Sequence, residues 1–120
     1  MREQFQEELN SVSATLVAMA GLVKTAMENA TTSLLTADLA LAERVIAEDA
    51  VVDEIQHELD ARSINLIARQ GPVASDLRTL VTSLRMSADL ERMGDLAHHI
   101  AKSARMRYPA TAVPPELSLT

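Results

Sequence analysis

An unbroken apolar stripe runs through the first third of the chain. Its members recur in alternating steps of three and four residues: Phe5, Leu9, Val12, Leu16, Met19, Val23, Met27, Ala30 and Leu34. Residues at this spacing lie on one side of an α-helix, so the sequence predicts one amphipathic helix from about residue 3 to 35. A stripe of this length favours a bundle of long helices.

Two short interruptions divide the rest of the chain into two further helices. The segment LLTADLA ends the first stripe, and either Thr36 or Asp38 can cap the helix that follows. A second stripe consists of Leu41, Val45, Val52, Ile55, Leu59 and Leu66. Gly71 suits the position after a helix and Pro72 suits a first turn, so a third helix is expected from about 73 to 107.

Short connections make neighbouring helices antiparallel. We therefore predict an all-α fold, an up-down-up antiparallel three-helix bundle whose helices are each about 50 Å long. The bundle is expected to occupy residues 1–108. Residues 109–120, PATAVPPELSLT, contain three prolines and predict a tail or linker.

The predicted third helix carries two sets of apolar residues that project to different sides. Its first half offers Leu77, Leu80, Val81, Leu84 and Ala88, and its second half offers Met86, Leu90, Met93, Ala97 and Ile100. Either this helix exchanges one buried face for another, or it lies between neighbours on both sides. Since a lone three-helix bundle does not need two apolar faces on one helix, we expect a larger assembly and, in particular, a homodimer.

Composition excludes several classes of protein. The net charge of −6 argues against nucleic acid as the partner. The chain has no cysteine, which excludes disulfides, zinc–thiolate sites and cysteine nucleophiles and favours a cytoplasmic location. The opening MREQFQEELN is polar, and no run of about 18 apolar residues occurs, so we expect neither a signal peptide nor a membrane span.

Two pairs of carboxylates stand four residues apart, Asp49 with Asp53 and Glu91 with Asp95. Like charges at this spacing destabilise an isolated helix by about 0.2–0.5 kcal/mol, and a cation between them would remove that penalty. If the second and third helices are antiparallel neighbours, the pairs can face each other and offer oxygen ligands to iron, manganese or magnesium. A partner-docking face and a solvated surface are the alternatives that spacing leaves open.

The histidines suggest a different function. Glu54 with His57, and Asp95 with His98, match the carboxylate-x-x-His element of di-iron four-helix bundles, so a di-iron carboxylate oxidase or iron-storage protein is the alternative. Against it, Glu54 is expected to point away from the apolar stripe. Spacing suggests no glycine-rich phosphate loop and no Ser/His/Asp set, and the third helix is too long for a DNA-recognition helix.

One long segment resembles the third helix of the PhoU family, the accessory proteins of phosphate-specific transport. It comprises residues 66–102, LIARQGPVASDLRTLVTSLRMSADLERMGDLAHHIAK. The earlier segment ADLALAERVIAEDAVVDEIQHELD resembles the family's second helix, whose acidic motif falls on Asp49 and Asp53. Asp76 and Arg78 belong to the family's DLR segment, where a structural or interface role and ligation are both open.

The resemblance implies a non-enzymatic regulator of phosphate uptake and of phosphate-starvation signalling. PhoU proteins bind iron or other divalent metal clusters at Glu/Asp-x-x-x-Asp motifs, so the implied ligands here are Asp49, Asp53, Glu91 and Asp95. Iron, manganese, magnesium and zinc are the candidate metals. The implied partners are the ATP-binding subunit of the phosphate ABC transporter and the PAS region of the sensor histidine kinase, with any membrane association through them.

The chain departs from the family in two respects. PhoU proteins contain two repeats, so the resemblance implies that this chain corresponds to the N-terminal one. His98 and His99 stand where the family usually has an apolar residue and an asparagine, so neither is expected to be a family ligand.

Overall fold

The structure, a computed structural model, describes residues 2–111 as three long α-helices joined by two short turns. Helix α1 spans Arg2–Thr36, α2 spans Leu39–Gln70 and α3 spans Ala74–Arg107. Each helix packs against both others in a rod of about 60 × 24 × 17 Å. The predicted all-α three-helix bundle is confirmed. The predicted tail lies outside the described residues from position 112 onward, and a domain boundary at 108 stays a prediction.

The turn between α1 and α2 is closed by backbone and side-chain hydrogen bonds. Ala37 adopts a left-handed conformation with φ 53°, and the Asp38 N–H donates to the Ser33 carbonyl over 3.1 Å. Asp38, rather than Thr36, caps α2, because its carboxylate accepts a 3.0 Å hydrogen bond from the Leu41 N–H. Thr36 belongs to α1, where its hydroxyl donates to the Thr32 carbonyl.

The turn between α2 and α3 follows the prediction at Gly71 but not at Pro72. Gly71 ends α2 in the left-handed conformation, with φ 53°. The prediction of Pro72 in the first turn of α3 was wrong. Val73 is the N-cap, since its backbone is extended and its carbonyl accepts the first helical hydrogen bond from Leu77, so Pro72 precedes the helix.

The core changes character along the rod. One end is filled by large side chains: Phe5, Leu9, Val12, Leu16, Leu59, Leu66 and Leu80. The other end is filled mostly by alanine: Ala30, Ala42, Val45, Ala97, Ala101 and Ala104. Met19, Val23 and Val52 lie between them. Because the spacing of packed helices depends on the side chains between them, the alanine-rich end favours closer approach of α2 and α3.

Helix α3 buries a single continuous stripe within the bundle, so it does not exchange one buried face for another, which was one of the two alternatives that the sequence left open. The stripe consists mainly of small or polar residues: Asp76, Leu80, Ser83, Ser87, Gly94, Ala97, Ala101 and Ala104. Leu80 and Ala97, which the sequence assigned to different faces, are both fully buried on it. Larger apolar residues flank the stripe, and Leu77, Met86, Met93 and Leu96 remain between 38% and 52% exposed.

Helix α1 is long and apolar enough, by length and composition alone, to cross a membrane. Its segment Glu3–Thr36 contains an 18-residue window with a mean hydropathy of 1.2. The apolar stripe of this helix, however, forms the core of the bundle, with Val12, Met19 and Val23 at most 1% exposed. Packing against α2 and α3 accounts for part of this hydropathy, since 28% of the window is buried inside the bundle.

Candidate metal centre

Three carboxylates converge where α2 and α3 face each other. Asp49 and Asp53 lie on consecutive turns of α2, and Asp95 lies on α3. One oxygen from each carboxylate lies within 4.8 Å of the other two, and all three residues are partly buried. We call these three residues the acidic cluster. It brings together three of the four ligands expected from the sequence.

Glu91, the fourth expected ligand, lies beside the acidic cluster rather than within it. It stands one turn before Asp95 on α3 and is partly buried. Burial raises the pKa of its carboxyl, a hydrogen bond with Asp95 raises it further, and repulsion from Asp95, Asp53 and Asp49 acts in the same direction. Glu91 therefore shares the electrostatic environment of the cluster.

The pKa of Asp53 is also raised above its usual value. Burial is the largest cause, followed by repulsion from Asp49 and then from Asp95, while His57 and His98 act in the opposite direction. Within residues 2–111, no lysine or arginine forms an ion pair with the acidic cluster or with Glu91. Negative charge thus accumulates here without a lysine or arginine to balance it.

A histidine of α3 contacts the acidic cluster. The Nδ1–H of His98 donates to Oδ2 of Asp49 over 2.7 Å, and the two side chains are only 22% and 14% exposed. The Nε2 atom of His98 is buried and has no hydrogen-bond partner among the described residues. The other two histidines are exposed, and His57 donates from Nδ1 to the Asp53 backbone carbonyl.

The sequence provided a signal for this contact, which we did not use. Asp49 and His98 lie 24 and 25 residues along the chain from Val73 in the turn, so antiparallel helices bring them opposite each other. Departure from the family pattern at position 98 led us to expect no ligand role for His98. Its contact with Asp49 was therefore missed.

Asp49 lies close to α3 at Gly94. A Cβ atom at Gly94 would lie 3.9 Å from Oδ1 of Asp49 and 3.6 Å from Cγ1 of Val52. A cavity of about 80 Å³ adjoins this point, lined by Leu22, Ala26, Val45, Glu48, Asp49, Val51, Val52 and Gly94. The acidic cluster therefore has a largely apolar wall on its α1 side.

Asp76 and Arg78 stand apart from the acidic cluster. Asp76 is buried in the first turn of α3, whereas Arg78 is exposed beside a groove that Ser13 of α1 also lines. At 1.5 Å per residue, Asp76 is about 28 Å along α3 from Asp95. Neither residue reaches the acidic cluster.

The donor set fits a divalent cation that prefers oxygen ligands. Carboxylates suit magnesium and manganese, and mixed carboxylate sites also hold iron and zinc. Burial, and after it repulsion from neighbouring carboxylates, raises the pKa values of Asp53 and Glu91, and a cation would relieve that repulsion. Carboxylate oxygens so close together can therefore bind a metal.

The di-iron alternative finds no support. Glu54 and His57, which would form one of its carboxylate-x-x-His elements, are both exposed. The other element pairs Asp95 with His98, but His98 directs its Nδ1 at Asp49. Residues 2–111 supply three helices, whereas di-iron sites of this type draw ligands from four.

The chain resembles proteins of one family throughout its length. A family model described as the PhoU domain matches residues 16–104. The phosphate-specific transport system accessory protein PhoU homolog 2 of Mycobacterium tuberculosis is 44% identical over 118 residues, covering 98% of this chain and 55% of that protein. PhoU homolog 1 of Mycobacterium leprae is 42% identical, with 98% and 53% covered.

A solved structure shares the fold. The crystal structure of PhoU from Pseudomonas aeruginosa superposes with a TM-score of 0.83 at 35% sequence identity, covering 85% of this chain and 49% of that one. The chain thus spans about half the length of the relatives it matches.

Proposed function

The chain belongs to the PhoU domain family, and we propose on that basis that it is a non-enzymatic regulator of phosphate uptake and phosphate-starvation signalling. The observation that carries the proposal is the 44% identity, across 98% of this chain, to an accessory protein of phosphate-specific transport. A protein that regulates by binding its partners needs no catalytic group. Helices α2 and α3 together form a surface that carries charged residues.

The proposed partners are the ATP-binding subunit of the phosphate ABC transporter and the PAS region of the sensor histidine kinase. The protein would act in the cytoplasm and reach the membrane only through these partners. Its net charge of −6 disfavours nucleic acid as a competing partner.

We propose that the acidic cluster binds a divalent metal, with iron, manganese, magnesium and zinc as candidates. Asp49, Asp53 and Asp95 would supply the ligand oxygens, and Glu91 would join them or support Asp95. The bound metal would neutralise the repulsion among these carboxylates and join α2 to α3. Metal binding would thereby hold the surface formed by these helices in one conformation for its partners.

A homodimer is also proposed, because α3 exposes apolar side chains that water does not favour. Leu77, Met86 and Met93 are each at least 38% exposed, and Leu96 is 52% exposed. Light scattering at increasing protein concentration tests this proposal. We expect the mass to rise towards twice that of the monomer, and a constant monomer mass would refute it.

A binding experiment tests the regulatory function directly. The transporter's ATP-binding subunit and the kinase PAS region are immobilised separately, and binding of the chain is measured with Mn²⁺ and with EDTA. We expect saturable binding to at least one partner, weakened by EDTA. The same assay is run on Asp49→Asn/Asp53→Asn/Asp95→Asn, which should bind weakly under both conditions.

The matched control is Glu28→Gln/Glu43→Gln/Glu54→Gln, which removes the same charge from exposed positions. It should bind as the wild type does. Failure of the wild-type chain to bind either partner would refute the proposal. Metal-dependent oxygen consumption by the wild type would instead favour a di-iron enzyme.

A further inference from the structure

Among residues 2–111, His98 is the one basic side chain that hydrogen-bonds to a carboxylate of the acidic cluster. Its Nδ1 lies 2.7 Å from Oδ2 of Asp49. An ionised carboxylate can accept hydrogen bonds but cannot donate them, so Nδ1 of His98 carries the hydrogen. When the imidazole is neutral, its lone pair is therefore on Nε2. The contact joins α3 to α2 at the cluster itself.

The placement of His98 is not explained by packing. Its Nε2 is buried without a partner among residues 2–111, which is unfavourable for a polar atom. An apolar side chain would avoid that penalty and fill the same space. The interaction with Asp49 is the favourable contact that the imidazole makes, so its role is to be sought there.

Direct ligation by His98 is the less favoured role. The set of ligand atoms that lie within 4.8 Å of one another comprises oxygens of Asp49, Asp53 and Asp95, without a nitrogen of His98. His98 instead occupies one oxygen of Asp49 and leaves Oδ1 outside that hydrogen bond. Histidine and carboxylate side chains that orient ligands in this way are common around metal sites.

Asp49 meets α3 at His98, and Gly94, one turn earlier on α3, leaves space beside the Asp49 carboxylate. Oδ2 accepts from His98, and Oδ1 lies 3.9 Å from the place where a Cβ of Gly94 would be. A free aspartate on α2 could rotate among several rotamers. The hydrogen bond from His98 restricts the Asp49 carboxylate to the side of α2 on which Asp53 also lies and which faces Asp95 of α3.

We propose that His98 is a positioning residue of the metal centre, which orients Asp49 towards the position shared by Asp53 and Asp95. This inference rests on the proposed binding of a divalent metal by the acidic cluster. It assigns to position 98 a role that does not follow from the resemblance to the family, where the residue is usually apolar.

The test measures the affinity of the full chain for Mn²⁺ by electron paramagnetic resonance, which detects the free ion. His98→Leu and His98→Met remove the donor, while His98→Asn retains an amide N–H near the position of Nδ1. We expect the two apolar variants to lose about 10- to 100-fold in affinity. His98→Asn should remain within a few-fold of the wild type, and so should the control His99→Leu at an exposed position.

A spectroscopic measurement separates positioning from ligation. Electron spin-echo modulation of bound Mn²⁺ reports directly coordinated nitrogen, and we expect none in the wild type. Thermal unfolding followed by circular dichroism establishes whether each variant is folded. If one of the two apolar variants fails to fold, the other still tests the proposal.

Each result has a defined meaning. Wild-type affinity in a folded apolar variant would overturn the positioning role while leaving metal binding intact. Failure of His98→Asn to restore affinity, or a coordinated nitrogen that disappears in His98→Leu, would also overturn it. Absence of Mn²⁺ binding by the wild type would instead refute the proposed metal centre, and the role of His98 with it.

Discussion

His98 of α3 donates a 2.7 Å hydrogen bond to Asp49 of α2, across the interface that carries the acidic cluster. Glu91 precedes Asp95 by four residues and Asp95 precedes His98 by three, so all three lie along one side of α3. That side faces Asp49 and Asp53. The interface between the two helices therefore contains four acids and one histidine where a three-helix bundle would ordinarily have apolar contacts.

The first prediction concerns the pH dependence of the metal-free protein. Because the pKa values of Asp53 and Glu91 are raised on folding, the folded state binds more protons than the unfolded state above their ordinary values of 3.8 and 4.5. These two groups therefore lower the free energy of unfolding as pH rises through that window. Urea unfolding in EDTA at several pH values should show that Asp53→Asn/Glu91→Gln gains stability relative to wild type as pH rises.

The control for this comparison is Glu43→Gln/Glu54→Gln, which removes two exposed acids of α2. Its stability should follow the wild type across the window. If the difference in free energy of unfolding between Asp53→Asn/Glu91→Gln and the wild type did not grow with pH, repulsion within the interface would be too weak to affect stability.

The second prediction concerns the effect of metal binding on the stability of the fold. At neutral pH, Mn²⁺ at 100 times its dissociation constant should stabilise the wild type by about 2.7 kcal/mol, because it binds only the folded state. Asp49→Asn/Asp53→Asn/Asp95→Asn should be more stable than the wild type in EDTA and unaffected by Mn²⁺. Thermal unfolding with and without the metal measures both effects, and a variant that still responds to Mn²⁺ would contradict them.

The third prediction concerns Gly94. A methyl group there would meet Val52, Val23 and Asp49 at 3.6, 3.8 and 3.9 Å, which are ordinary contact distances. Alanine is favoured over glycine inside a helix, so Gly94→Ala should stabilise the metal-free protein by about 0.5–1 kcal/mol. Chemical denaturation measures the change, and a loss of stability would show that the helices are closer at this point than the structure indicates.

The fourth prediction concerns the two turns, both of which contain a residue with φ 53°. Gly71 adopts this conformation without strain, whereas Ala37 does so with a Cβ atom. Gly71→Ala should therefore destabilise the bundle by about 1 kcal/mol, and Ala37→Gly should stabilise it by about 0.5 kcal/mol or more. Opposite signs in the two variants are the expected result, and equal signs would contradict it.

The sequence predicted the parts of the fold that depend on strong local signals. The stripe of α1 and the left-handed Gly71 follow from hydropathy and backbone preference, and the structure confirms both. Of the two candidate caps of α2, Thr36 and Asp38, the structure selects Asp38. The spacing also identified three candidate metal ligands, Asp49, Asp53 and Asp95. Adjacent antiparallel helices can place one i, i+4 pair of carboxylates opposite another.

The buried side of α3 was harder to predict. Ser83, Ser87 and Gly94 have weak hydropathy, so the larger Leu77 and Met93 dominated the pattern even though they are 38% and 46% exposed. Small residues become buried when helices approach closely, which is a property of the packed bundle. The His98–Asp49 contact likewise depends on the relative register of α2 and α3 and has no local signal.

The most direct test of the metal centre is anomalous diffraction from crystals of the full chain grown with Mn²⁺. The account predicts an anomalous peak within coordination distance of Asp49, Asp53 and Asp95, between α2 and α3. Crystals of Asp49→Asn/Asp53→Asn/Asp95→Asn grown with the same Mn²⁺ should lack it. A wild-type map without a peak at this interface, or with Mn²⁺ bound only by other acids, would contradict the account.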